Sequence, residues 1–395
     1  MNTSVYLLSL CQALLTTGNI LLIAVMALIG QQLAPSSELI TLPLALQFTG
    51  LMCATIPASL IMSVTGRKLG FFLGNGIGIS GAIVCVVALL QHQFALFCVG
   101  TFLLGVGMGF GNLYRFAVVE TCEPGFQAKA ISIVMAGGVL AAVLGPNLAI
   151  QTQKLELGAP FVGAFYGLTL LYSLALVLLF FVDFKTNSEE QHTEASRPLL
   201  EIILQPNYIT ALLAGMVSYA IMNLIMSATP LAMSHHGHHF SDAAIVIQWH
   251  VLGMFAPGFF TGNLIQRWGT KSMMLGGAVL MLLCIAINLL GQSLWHYRIA
   301  LVLLGIGWAF MFISATTALT TTYNPAEKAK AQAANEFGVF ACVVVSSICS
   351  GWLVSVWGWE FVNQVSAPFV LLAFVIIALV LPKQNTEVAA PIKSN

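Results

Sequence analysis

The sequence predicts an all-α membrane protein of 12 transmembrane helices in two pseudo-symmetric six-helix bundles, and three observations carry that expectation. Of 395 residues, 58% are hydrophobic and only 7% charged, against roughly 25% charged in an average soluble domain. A chain so poor in charge cannot cover a water-facing surface, whereas a lipid exterior removes the need. Apolar runs long enough to cross a hydrocarbon core of ~30 Å recur along the whole length. One long polar stretch, 183–207, divides these runs six and six.

Taken in order, the first run, 5–30, is too long for the apolar region of a signal peptide and lacks its basic leader, so it reads as the first span. Spans at 39–63 and 71–90 flank a basic turn, Gly66-Arg67-Lys68. The fourth span, 95–119, contains GVGMGF (Gly105–Phe110); the fifth, 128–150, follows CEPGFQAKA (Cys122–Ala130); the sixth is 160–182. The linker carries Asp183, Lys185, Glu189, Glu190, Glu194, Arg197 and Pro198. Spans then follow at 208–233, 242–264, 272–291, 297–321, 329–356 and 360–381. The expected domains are thus 1–182, a cytoplasmic linker 183–207, 208–382, and a cytoplasmic tail 383–395.

Lysine and arginine set the orientation. With both termini cytoplasmic, the inner loops and tail hold Arg67, Lys68, Lys129, Lys185, Arg197, Arg267, Lys271, Lys328, Lys330, Lys383 and Lys393, while the outer side holds Lys154 and Arg298. That asymmetry follows the positive-inside rule.

The halves repeat at an offset near 200 residues. GVGMGF parallels GIGWAF (Gly305–Phe310), and CEPGFQAKA parallels YNPAEKAKA (Tyr323–Ala331). Pro57 and its basic turn parallel Pro257 and the turn Arg267–Lys271. Parallel six-helix repeats are a transporter architecture whose substrate site is expected near the midplane between the halves. Over nearly its whole length the chain resembles the major facilitator superfamily. Gly262, Arg267, Gly269 and Lys271 are similar to that family's loop motif between helices 8 and 9. Ser63 stands where the first-half counterpart usually has aspartate. Gly145-Pro146 is similar to a motif of antiporters, without the two glycines that normally follow.

Zero net charge gives no reason to expect a nucleic-acid partner, and no CxxC pair among the eight cysteines suggests a thiolate metal site. No nucleotide-binding loop points to direct ATP drive. The soft ligands lie elsewhere. Met222 and Met226 are four apart in the seventh span, and His250 and Met254 four apart in the eighth, so each pair shares a helix face. If the two spans pack side by side, three thioethers and one imidazole stack near the bilayer centre, a soft neutral set that selects Cu(I). The alternative is that the methionines fill gaps in an apolar core and that His250 bonds to a neighbour such as Gln248 or Tyr219.

The paired MxxxM and HxxxM motifs, with MSATPLAM (Met226–Met233) and NLYRFAVVE (Asn112–Glu120), resemble the CcoA-like branch of the superfamily. Those proteins import copper across the bacterial inner membrane for assembly of cbb3-type cytochrome oxidase. The resemblance implies that Met222, Met226, His250 and Met254 hold the metal in transit. Copper would be cargo, with no permanently bound cofactor, and copper donor or acceptor proteins would be the partners of a monomer in the lipid bilayer.

Further candidates surround that set. Met233, His235, His236, His238 and His239 line the outer loop above it and form a candidate capture site. Arg115 and Glu336 fall near the inner ends of spans 4 and 11, where they suit an inner gate, with proton coupling as the alternative role for Glu336; Glu120 is an alternative partner for Arg115, and Arg267 and Lys271 belong to the loop motif. Thr16, Thr17 and Asn19 either line a cavity or satisfy contacts between helices. The chain reads as a gradient-linked, alternating-access copper importer and not an enzyme. The rivals are a transporter of a small organic solute, such as a riboflavin-like vitamin or a drug, and a non-transporting copper sensor. The organic-solute rival predicts aromatic and polar groups from both halves around a cavity.

Overall fold

The computed structural model describes residues 3–121, 127–155, 157–184 and 197–381. The linker residues 185–196 and the tail 383–395 lie outside the described residues, as do the side chains of Arg115 and Glu120. Among the described residues all regular structure is helical. The first half comprises α1 (Thr3–Leu33), α2 (Leu42–Thr65), α3 (Arg67–Leu90), α4 (Phe94–Gly111), α5 (Tyr114–Thr121), α6 (Gln127–Gln153) and α7 (Val162–Phe180). A short helix, α8 (Leu199–Ile203), leads into α9 (Pro206–His235), α10 (Phe240–Phe255), α11 (Gly258–Leu290), α12 (Leu294–Leu319), α13 (Lys328–Val356) and α14 (Gly358–Val380).

Among the described residues ten helical stretches are long and apolar enough to cross a membrane. A helix answers the demand of lipid because it pairs its own backbone groups. The expected fourth span is divided between α4 and α5, and the expected eighth between α10 and the start of α11, where Pro257 leaves a ladder position without a donor.

Repeated sequence becomes repeated structure at two kinds of joint. Gly66 between α2 and α3 has φ 87° and ψ 155°; Gly269, at which α11 bends, has φ 79° and ψ 159°. Both angles are open to glycine and strained for other residues. Beside each turn a lysine caps a distant helix end: Lys68 Nζ donates to the carbonyls of Phe180 (3.0 Å) and Val182 (3.2 Å), and Lys271 Nζ to those of Ala378 (2.7 Å) and Leu381 (2.5 Å). A cation there answers both the open carbonyls and the negative end of the helix dipole. The second joint is a backbone contact. A Cβ on Gly105 of α4 would run into the carbonyl oxygen of Gln47 in α2, and one on Gly305 of α12 into that of His250 in α10.

Together with the Asp183 N–H, which donates to Ser4 Oγ (3.0 Å), these contacts place Ser4, Lys68, Val182, Lys271 and Leu381 at one face, here the terminal face. At the opposite face the halves are tied together. Thr41 Oγ1 donates to Ile348 O (3.2 Å) and accepts from Gly351 N (3.1 Å), Gln31 Nε2 lies 3.3 Å from His235 Nε2, and Phe161 meets Phe240 edge to face at 5.5 Å. Deeper in, Asn147 of α6 donates to Gln248 of α10 (2.9 Å). On the terminal face Arg197 clasps Glu327 through Nε (2.8 Å), Nη2 (2.7 Å) and its backbone N–H (2.9 Å), which docks the end of the linker on the turn before α13.

Candidate central site

At mid-length of the second-half helices the structure gathers aromatic rings. Tyr219 of α9 stands edge-on to Trp308 and Phe312 of α12, each at 5.4 Å, and Phe340 of α13 lies 5.9 Å from it. Trp308 and Phe312 are four residues apart on α12, hence on one face, and stack at 5.1 Å with planes 11° apart. Tyr219, Trp308 and Phe312 are half-buried, and the Trp308 Nε1 donor has no partner. Trp308 and Phe312 were not among the sequence candidates; the tryptophan in GIGWAF, where the first-half motif has Met108, was the available signal.

The first half is polar at the same depth. Gln12, Thr16 and Asn19 fall at i, i+4 and i+7 of α1 and are half-buried in a stretch, Cys11–Ala27, whose other residues are all buried. Gln12 Nε2 donates to Thr16 Oγ1 (3.3 Å). From α2, the fully buried Gln47 donates to Asn19 Oδ1 (3.0 Å) and to Met108 Sδ (3.0 Å). Thr17 is buried and donates to Ala13 O (2.8 Å), so of the three α1 residues named from sequence it serves the helix, while Thr16 and Asn19 lie on the open face.

The methionine and histidine candidates lie on α9 and α10. α9 packs along α12, α13 and α14, and α10 along α12 and α6, with only sparse packing between α9 and α10. The Gly305–His250 joint draws α10 onto α12, and His250 Nδ1 meets Leu301 O of α12 at 2.8 Å. His250 Nε2 is buried with no partner. Met222 and Met226 are buried, and Met254 is half-buried. Among the described residues no three His, Cys, Asp or Glu side chains gather as a ligand set.

In the loop between α9 and α10 the rings of His236 and His238 both lie against Tyr297, at 6.3 and 5.8 Å between centroids. His235 faces Gln31, His236 Nδ1 lies 2.7 Å from the Tyr297 hydroxyl, and His238 Nε2 lies 2.9 Å from Gln292 O. His239 precedes α10, and Met233 is fully buried. Burial, then the neighbouring His235 and His238, lowers the His236 pKa and favours the neutral ring. Glu336 is half-buried on α13, Arg267 is exposed on α11, and Lys271 caps the end of α14.

The sequence profile of the Major Facilitator Superfamily matches residues 8–256 and again 211–395. The riboflavin transporter RfnT of Brucella anthropi is 38% identical over 389 residues, covering 98% of this chain and 97% of its own. The MFS-type transporter YddS of Bacillus subtilis is 28% identical, over 84% and 79% of the two chains. Among solved structures, a D-xylose–proton symporter superposes with a TM-score of 0.75 at 14% identity, over 97% of this chain and 99% of that one.

Proposed function

The chain belongs to the Major Facilitator Superfamily and is a multi-pass secondary transporter, and from that premise we propose that it carries a small, planar, aromatic organic solute of the riboflavin kind. One observation carries this reading: a half-buried platform of Tyr219, Trp308 and Phe312 at mid-length of the second half, with the polar strip Gln12, Thr16 and Asn19 at mid-length of the first. Stacked rings offer flat apolar area that a fused ring system matches, and ligand sites combine such surface with a few polar groups. The relationship to a riboflavin transporter over nearly the full length supports the same substrate class. In this reading the protein works by alternating access in a bacterial inner membrane with its terminal face in the cytoplasm, the positively charged side. The fastened opposite face then separates the site from the outside. Uptake of labelled riboflavin by riboflavin-auxotrophic cells tests it. Saturable uptake that is lost in Trp308→Ala at matched protein levels is expected; uptake no higher than in empty cells overturns it.

Copper import through Met222, Met226, His250 and Met254 stays as a second reading because of His250. Its Nδ1 is engaged by a backbone carbonyl while Nε2 keeps a bare lone pair, the arrangement in which a second-shell acceptor fixes a ligating imidazole. Radioactive copper uptake by the wild type, Met226→Ala, His250→Ala and Met254→Ala decides between the two. Saturable uptake lost in the variants supports copper, and equal uptake at background removes it.

A further inference from the structure

We infer that the Asn19 amide group, oriented by Gln47, donates the hydrogen bond that recognises a polar acceptor on the solute, a deduction that rests on the organic-solute reading above. α1 packs against α2, α4, α5, α6, α7, α9 and α10, so protein surrounds it. The surface that Gln12, Thr16 and Asn19 leave open therefore faces the interior of the bundle and not lipid. Asn19 sits near the middle of α1, as Tyr219 does in α9 and Trp308 in α12.

Gln47 is fully buried and spends its NH2 group on Asn19 Oδ1 and Met108 Sδ, while its own carbonyl oxygen is left without a partner. Burying an amide with half its capacity unmet is costly, so packing alone gives no reason for glutamine here. The arrangement has one clear consequence. It occupies the Asn19 carbonyl and leaves the Asn19 Nδ2 group, on the half-open side of α1, as the free donor. The second half shows the contrast. Asn223, 204 positions on in α9, is fully buried and donates to Ser346 Oγ (2.9 Å), Ser347 Oγ (2.8 Å) and Val343 O (3.3 Å). That amide holds α9 to α13 and has nothing left to offer a solute. Recognition is thereby split: rings on Tyr219, Trp308 and Phe312, and a ring-edge carbonyl or a chain hydroxyl on Asn19. Gln47 is a positioning residue that acts through Asn19.

The test is riboflavin uptake kinetics in Asn19→Asp, Asn19→Ala, Gln47→Leu and the double variant Asn19→Ala/Gln47→Leu. Asn19→Asp keeps an acceptor for Gln47 and replaces the amide donor with a carboxyl that carries a charge when ionised and an O–H when protonated, so it is read together with Asn19→Ala, which removes the donor without either. About a tenfold rise in KM with little change in maximal rate is expected for Asn19→Asp and Asn19→Ala. Gln47→Leu should raise KM by less, and the double variant should be no worse than Asn19→Ala alone, as for residues acting in series. A wild-type KM in Asn19→Ala with riboflavin still carried overturns the Asn19 assignment and leaves the solute reading standing. Failure of the wild-type protein to carry riboflavin removes both.

Discussion

At matching positions the first half presents Asn19, Gln47 and Met108, and the second presents Asn223, His250 and Trp308. The backbone beneath them is the same. Gly105 lets α4 meet the carbonyl of Gln47, Gly305 lets α12 meet that of His250, and Lys68 and Lys271 cap corresponding helix ends. The side chains have gone separate ways. In the first half the buried Gln47 and Met108 back a half-open Asn19; in the second, Asn223 is sealed into a helix contact and aromatic rings take over the open surface. Joints fixed by glycine and by main-chain bonds are what allow this, because the frame does not depend on which side chains the site needs.

The largest effects should come from breaking the frame itself. Gly305→Leu and Gly105→Leu would each drive a side chain into a neighbouring backbone that cannot rotate away. Each should cost on the order of 3 kcal/mol and abolish uptake, read as a fall in thermal stability in detergent. If one glycine tolerates leucine and the other does not, the two joints are not equivalent. Next come the walls. Trp308→Ala removes half of a stacked pair and should raise the riboflavin KM about tenfold or more, whereas Met108→Ala at the matching position should change it by less than about threefold. Equal effects would erase the distinction between an aromatic and a polar wall.

How much of this could be read in the sequence depends on what each feature needs. The helical class, the repeat near 200 residues and the basic turns at Lys68 and Lys271 are periodic or local, and the structure gives the repeated segments repeated roles. The neighbours of a helix are neither. The expected stack of Met226 on His250 supposes that consecutive spans pack side by side, whereas α12 packs along both α9 and α10, which meet each other only sparsely. Aromatic residues posed a similar difficulty. The repeat marks Trp308 as the counterpart of Met108, but it does not say that the ring stacks on Phe312 and meets Tyr219 of another helix. Asn19 was legible as polar at mid-span, but its orientation depends on Gln47, 28 residues away on another helix.

The lysine caps sharpen the comparison at smaller scale. Lys68→Met and Lys271→Met each remove two bonds from a cation to helix-end carbonyls and should each cost about 1 kcal/mol. Similar losses of thermal stability in the two variants are expected if the caps are equivalent, and a loss confined to one would mean that its helix end is held by other contacts.

The smallest expected effect belongs to the second half, where the linker is clasped at Arg197–Glu327. The Arg197 guanidinium, helped by the Asn324 N–H, holds the Glu327 carboxyl well below the usual carboxylate range. A carboxyl whose pKa is lower folded than unfolded contributes stability that is complete above the unfolded value, about 4.3, and lost as pH falls toward the folded one. Glu327→Gln should therefore lower the thermal midpoint slightly at pH 7, and the gap between variant and wild type should narrow as pH drops below about 4. The Arg197 side is open to solvent, so screening keeps the difference small. A gap that stays constant down to that range would mean that the glutamate acts through its cap on the turn before α13 and not through its charge.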